Sequence, residues 1–228
     1  MARPEPPNVP PLHVQGFAVD VRTSSSADLP GLSTAFFRAF HPGNAYMQRV
    51  IPDTDATRQW FRSIFSKMIE SPDYRLYTAH LSMPHTESRV VGYIALRYRR
   101  PGDGDGDGGG IFENEPLTSD HDPTGCNAML HPEGMDPDVL LGDVKQRRHV
   151  SVENFGVEKS YAGGGIGTLL LRCACEEADR EGLEMVVGAN EKASSFYKKV
   201  GFEERGRAVM PGEEKYTLCL LVRRAKGA

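Results

Sequence analysis

Apolar positions along this chain alternate between a period of two and a period of three to four, and the switches between them mark out the elements. Phe17-Ala18-Val19-Asp20-Val21 alternates as a first strand. After Ser26-Ala27-Asp28, which offers helix caps, Leu29, Leu32, Phe36 and Phe40 fall at helical spacing, with Pro30 tolerated in the first turn. Trp60, Ile64, Phe65 and Met68 predict a second helix over 55–69. Residues 74–81 and 90–98 read as two strands joined through Pro84 and His85, the hairpin of an antiparallel sheet. Residues 149–157 predict a further strand, and Ile166, Leu169, Leu170, Cys173, Ala174 and Ala178 a long helix. A strand at 185–187, a helix over 193–200 stopped by Gly201, and a strand over 216–222 complete the pattern. The order is β-α-α-β-β, an insertion, then β-α-β-α-β.

Two stretches lack periodicity. Residues 1–13 carry five prolines and predict a flexible extended arm. Residues 101–137 are dominated by Gly, Asp, Pro and Asn and predict a long loop insertion in a single domain over 14–228, with a short helix at 138–146 leading out of it. Asp103, Asp105 and Asp107 in that loop begin like a calcium-binding loop, but Asn114 stands where a bidentate Glu is needed, so no metal is expected there.

Composition narrows the classes of function. The chain is 39% apolar and 25% charged, enough for a core, and its net charge of −4 gives no footprint for nucleic acid. The basic runs Arg97-Tyr98-Arg99-Arg100 and Arg147-Arg148 are short. Cys126, Cys173, Cys175 and Cys219 show no paired metal-ligand spacing and predict thiols in a reducing compartment. Residues 1–14 have no signal-peptide h-region and no stretch is long and apolar enough to span a bilayer, so a soluble, cytoplasmic protein without membrane contacts is expected.

The chemistry concentrates at Gly163-Gly164-Gly165-Ile166-Gly167, placed between a strand and a helix start. Backbone N–H groups free of Cβ atoms, together with the positive end of a helix, make an anion site suited to a phosphate or diphosphate. A nucleotide P-loop is excluded because Thr168 and Leu169 follow the last glycine instead of Lys and Ser or Thr, and a dinucleotide fingerprint fails for want of a glycine at 168.

That loop is followed by Asn190, Phe196-Tyr197 and Gly201-Phe202, and over 157–202 the chain resembles the acyl-CoA-binding half of the GNAT acetyltransferase superfamily. The resemblance implies an α/β (α+β) fold: a central mixed, mostly antiparallel, strongly twisted sheet flanked by helices. In it the fourth and fifth strands splay apart to hold acetyl-CoA, with the backbone of Phe155 and Val157 gripping the pantetheine. The diphosphate is expected on Ala162, Gly163, Gly164, Gly165, Ile166, Gly167 and Thr168, with Phe196 also at the cofactor and Asn190 orienting the cofactor, capping the helix that starts at Ala193, or both. The sequence departs from the family at Ala162, usually Gln or Arg, and at Lys159, usually Pro.

By the same resemblance, Tyr197 is expected near the thioester sulfur, as proton donor to the departing thiolate or as an anchor of its helix to the sheet. Glu153, beside Val152 and Phe155, is expected to deprotonate the acceptor directly or through water, or else to stand as a charge on a solvent-facing side of its strand, with His149 as the alternative base. The implied activity is acetyl transfer from acetyl-CoA to an amine of a small molecule or peptide by direct attack in a ternary complex. A non-catalytic acyl-CoA-binding module and an O-acetyltransferase use the same site. The insertion and residues 41–70 are expected to frame the acceptor, in a monomer or homodimer.

Overall fold

The computed structural model describes residues 10–84, 86–101, 111, 115–122, 142–144, 146–209 and 217–226. In chain order these form β1 (Leu12–Val14), β2 (Phe17–Thr23), α1 (Leu29–Phe40), α2 (Ala45–Val50), α3 (Asp55–Glu70), β3 (Tyr74–Ser82) and β4 (Arg89–Arg99). After the insertion come β5 (His149–Val157), α4 (Ile166–Glu181), β6 (Glu184–Asn190), α5 (Glu191–Lys198), β7 (Glu203–Val209) and β8 (Thr217–Arg223). The strands make one eight-stranded sheet in the order β1-β2-β3-β4-β5-β6-β8-β7. Its pairings are antiparallel except β5 with β6, which the α4 crossover makes parallel. The mixed, mostly antiparallel sheet flanked by helices is the architecture expected from the sequence.

Apolar faces fix the layers. One core lies between the sheet and α4 with α5, where Leu170, Leu171 and Ala174 meet Ile94, Leu96, Val150 and Met185. The other lies between the sheet and α1 with α3, where Phe36, Phe61, Ile64 and Phe65 meet Leu76, Tyr93 and Ala95. Each fully buried Leu or Phe contributes about 1.5–3 kcal/mol by leaving water. Thr54 caps α3, its hydroxyl accepting from the Thr57 amide at 3.2 Å, and Asn44 caps α2 in the same way. On α4, Glu177 is 2% exposed and accepts a hydrogen bond from the Tyr77 hydroxyl, which pins the helix to β3.

Four features differ from the sequence reading. β1 starts at Leu12, inside the expected arm, because Gln15 and Gly16, at φ 52° and 83°, form a tight turn that folds it onto β2. Helix α2 is too short for its period to be legible. β7 carries Glu203, Arg205 and Arg207 as an exposed edge strand, whose charges hide it from a hydrophobic pattern. Within the insertion, residues 115–122 dock on α2 and α3. Glu115 accepts from Ser63 at 2.9 Å, Asp120 from Thr54 at 2.5 Å, and His121 stacks edge-on to Trp60 at 4.6 Å. The calcium-like aspartates, Cys126 and most of the expected 138–146 helix lie outside the described residues; Gly142–Val144 is a 3-10 turn.

Candidate functional site

β5 is nine residues long, yet its ladder with β6 stops at Val152–Val187. Beyond that point β6 continues along β8 as far as Asn190 with Leu218, while β5 follows β4. The two parallel strands therefore open a V-shaped cleft. The Glu158 amide donates to the Val91 carbonyl of β4 at 2.9 Å. A two-residue period turns Gly156 the same way and turns the backbone of Phe155 and Val157 to the opposite edge, into the cleft. Both residues thus offer an N–H and a C=O to an extended guest.

A bulge decides which side chains reach each face. The β4–β5 register shifts between Ala95 and Leu96, so Asn154 pairs with Ala95, Val152 with Leu96, and Glu153 is the extra residue. Strict alternation would put Glu153 beside Phe155. Instead Glu153 pairs with Arg99 at 3.4 Å and Asn154 accepts from the Tyr93 hydroxyl at 2.5 Å, and both partners lie on the α1–α3 face of β4. Phe155 and Val157 join Val150 and Val152 on the α4 face. The apolar surroundings expected for Glu153 from Val152 and Phe155 are therefore replaced by an ion pair. Gly156 is what brings α1 to this strand: a Cβ there would lie 3.0 Å from Ala39 and 3.2 Å from Phe40.

The glycine loop follows β5 at the open end of the cleft. Gly163 and Gly165 hold φ of 81° and 88°, the left-handed region that favours glycine, and Gly165 is the N-cap of α4. Gly164 is needed for packing, since its Cβ would lie 2.8 Å from Val14 Cγ1, and its amide is engaged by the Tyr161 carbonyl at 3.1 Å. The Ala162 amide is similarly turned to the Lys159 carbonyl at 3.1 Å. The Ile166 side chain is 1% exposed and belongs to the core. Of the expected anion donors this leaves the amides of Gly163 and Gly165 in the loop, and those of Ile166, Gly167 and Thr168, which open the helix and have no helical carbonyl four residues back.

Opposite the loop, Phe196 of α5 stacks on Phe155 with centroids 5.9 Å apart, and a Cβ on Gly167 would come within 3.4 Å of Phe155 and 3.6 Å of Phe196. Tyr197 is 4% exposed, with edge contacts to Phe155, Phe196 and Phe202 at 6.1, 5.5 and 5.4 Å. Burial pushes its phenol well above the usual tyrosine range, and the Cys175 thiol adds to the shift. Asn190 caps α5 by accepting from the Ala193 amide at 2.8 Å. His149 is 3% exposed at the closed end of the ladder, opposite Glu184, and its Nδ1 donates to the Arg147 carbonyl at 3.0 Å. At ~3.3 Å per residue it stands ~13 Å along the strand from Glu153, away from the cleft. Among the described residues no cluster of His, Cys, Asp and Glu is placed to hold a metal ion, and no helix is long and apolar enough to cross a membrane.

Sequence reasoning missed Glu158, 1% exposed, whose partners Arg38 and Arg89 lie 120 and 69 residues away. No local pattern could have announced them.

Residues 128–204 match the model of the acetyltransferase (GNAT) domain. A stretch of 69 residues is 35% identical to an uncharacterized N-acetyltransferase of Methanocaldococcus jannaschii, covering 28% of this chain and 30% of that protein. The match thus spans under a third of that relative. Among solved structures, a mosquito arylalkylamine N-acetyltransferase-like protein has a TM-score of 0.64 at 12% identity, over 90% of this chain and 99% of that one. NAA60 of Arabidopsis thaliana, solved with a bisubstrate analogue, has a TM-score of 0.58 at 14% identity, over 92% and 99%. At these identities the structures show a shared fold.

Proposed function

We propose, on the premise that this chain is a member of the GNAT acetyltransferase superfamily, that it moves an acetyl group from acetyl-CoA to an amine of a small molecule or peptide. The observation that carries the reading is the parted β5–β6 ladder, with an unpaired strand edge at one side and a helix N-terminus at its end. That combination suits one guest: an amide-bearing arm that pairs like a strand, joined to a diphosphate that sits on helix amides.

When bound, acetyl-CoA supplies an activated thioester carbonyl. Phe155 and Val157 hold the arm through backbone hydrogen bonds, and the first turn of α4 with Thr168 takes the diphosphate. Glu153, on the α1–α3 face, takes the proton from the attacking amine nitrogen, directly or through water. As the N–C bond forms and the C–S bond breaks, Tyr197 on the α4–α5 face gives its hydroxyl proton to the departing sulfur, and burial keeps that proton on the phenol until then. The two proton carriers thus address opposite faces of one cleft. The α1–α2 segment and residues 115–122 frame the acceptor side.

Calorimetry with coenzyme A, followed by thiol release from acetyl-CoA against a panel of amines, tests this. Binding plus amine-dependent thiol release is the expected result. Binding without release for any amine or hydroxyl acceptor would make the chain a binding module, and no binding would end the reading.

A further inference from the structure

Two consecutive residues at the exit of β5 grip the same end of α1. Glu158 accepts from Arg38 Nη1 at 3.2 Å through Oε1 and from Arg89 Nη2 at 2.9 Å through Oε2, while Lys159 donates to the Pro42 carbonyl. From there the bonds run into the glycine loop. Arg89 Nη2 also donates to the Tyr161 hydroxyl at 3.0 Å, and its guanidinium lies 5.6 Å from the Tyr161 ring centroid. The Tyr161 amide donates to the Glu158 carbonyl at 2.9 Å, and the Tyr161 carbonyl takes the Gly164 amide at 3.1 Å.

We propose that Glu158 is a positioning residue for diphosphate binding, holding Arg89 and Tyr161 so that the loop before α4 keeps its amides aimed at the anion. The inference rests on the function proposed above. A carboxylate with 2% side-chain exposure costs free energy to bury unless paired. Here it has two guanidinium partners, and it lies in the turn that leads directly into the anion site. The family position that usually brings Gln or Arg to the diphosphate is Ala162 in this chain, exposed and without a polar side chain. Order in the loop, with Arg38, Arg89 and Lys159 outweighing Glu158 in charge, compensates for that loss. Isolated surface ion pairs contribute little, and the near-complete burial of Glu158 sets this one apart.

Calorimetry of coenzyme A binding to the wild type, Glu158→Gln, Arg38→Met and Asp179→Asn, with melting temperatures for each, tests it. Asp179→Asn breaks another ion pair at the far end of α4, with Arg223 at 2.7 Å. It reports what lost stability alone does to affinity. The expected result is that Glu158→Gln weakens binding about tenfold, as loss of a charged hydrogen bond implies, with Arg38→Met weaker in the same direction and Asp179→Asn unchanged. Unchanged affinity in Arg38→Met and in folded Glu158→Gln, or equal weakening in Asp179→Asn, would overturn the positioning role. Arg38 is half-exposed, so its variant decides the matter if Glu158→Gln does not fold. A wild type that binds no coenzyme A would instead sink the proposed function.

Discussion

Tyr197 has two duties that a single substitution can separate. Its ring fills a pocket among Phe155, Phe196 and Phe202, and its hydroxyl is the proposed acid. Tyr197→Phe keeps the ring, so melting temperature should hold while kcat falls about a hundredfold or more, the usual reach of one proton donor. A stable variant with full kcat would leave Tyr197 as an anchor only. Glu153→Gln should lower kcat by a similar factor at neutral pH, and more alkaline buffer should recover rate because it deprotonates the amine without help. The sequence placed both residues correctly in their elements. It misjudged the surroundings of Glu153, because alternation assumes an unbroken ladder. The bulge at Glu153 shifts the parity of β5, sending Phe155 to one face and Glu153 to the other. Bulges follow from how two strands are paired, and that information lies in β4 as much as in β5.

The elements around the cleft were legible to the degree that their patterning is local. β5, α4 and the Asn190 cap show their period or cap residue in the chain itself, whereas β1 depends on a two-residue turn, and β7 is held by β8 while facing solvent with charges. The triple glycine carries a more mixed message than its sequence suggests. Three adjacent glycines look like one anion loop, but Gly164 is small because the N-terminal hairpin presses on it. Gly164→Ala should therefore cost about 1–3 kcal/mol of stability by overpacking against Val14. Val14→Ala in the same chain should restore part of that loss, since the two sites are in contact and their effects should not add. Denaturant unfolding of the two single variants and the double variant measures this. Strict additivity would mean that Gly164 is required for a reason other than Val14.

Across the whole molecule, the closed end of the V is tied together, while the open end is the proposed seat of the acyl-CoA. Asp179 near the end of α4 accepts both guanidinium nitrogens of Arg223 at 2.8 and 2.7 Å and also the Lys226 amide at 2.8 Å, while Arg223 Nε donates to the Val200 carbonyl at 3.3 Å. Arg223 pairs across from Met185, the second residue of β6, so one side chain joins α4, the exit of α5 and the root of the cleft. Burial pulls the Asp179 carboxyl upward, but the Arg223 hydrogen bonds, the Lys226 amide and the nearby positive charge outweigh it and hold the group below the usual aspartate range. A depressed folded value means that the unfolded chain binds the proton more readily. The stabilisation is fully present above the unfolded aspartate value, ~3.9, and is lost as pH falls through the lower folded one. Asp179→Asn should therefore lower the melting temperature by about 5 °C at neutral pH, as a loss of about 1–3 kcal/mol implies for a chain of this length. The gap between wild type and variant should close as the buffer is taken below about pH 4. A coenzyme A excess should raise both melting curves by the same amount, because a ligand held at the open end of the cleft stabilises the folded state through its own affinity and does not depend on the latch at the closed end. A gap that persists unchanged into acid would show that packing, not charge, holds the root of the cleft.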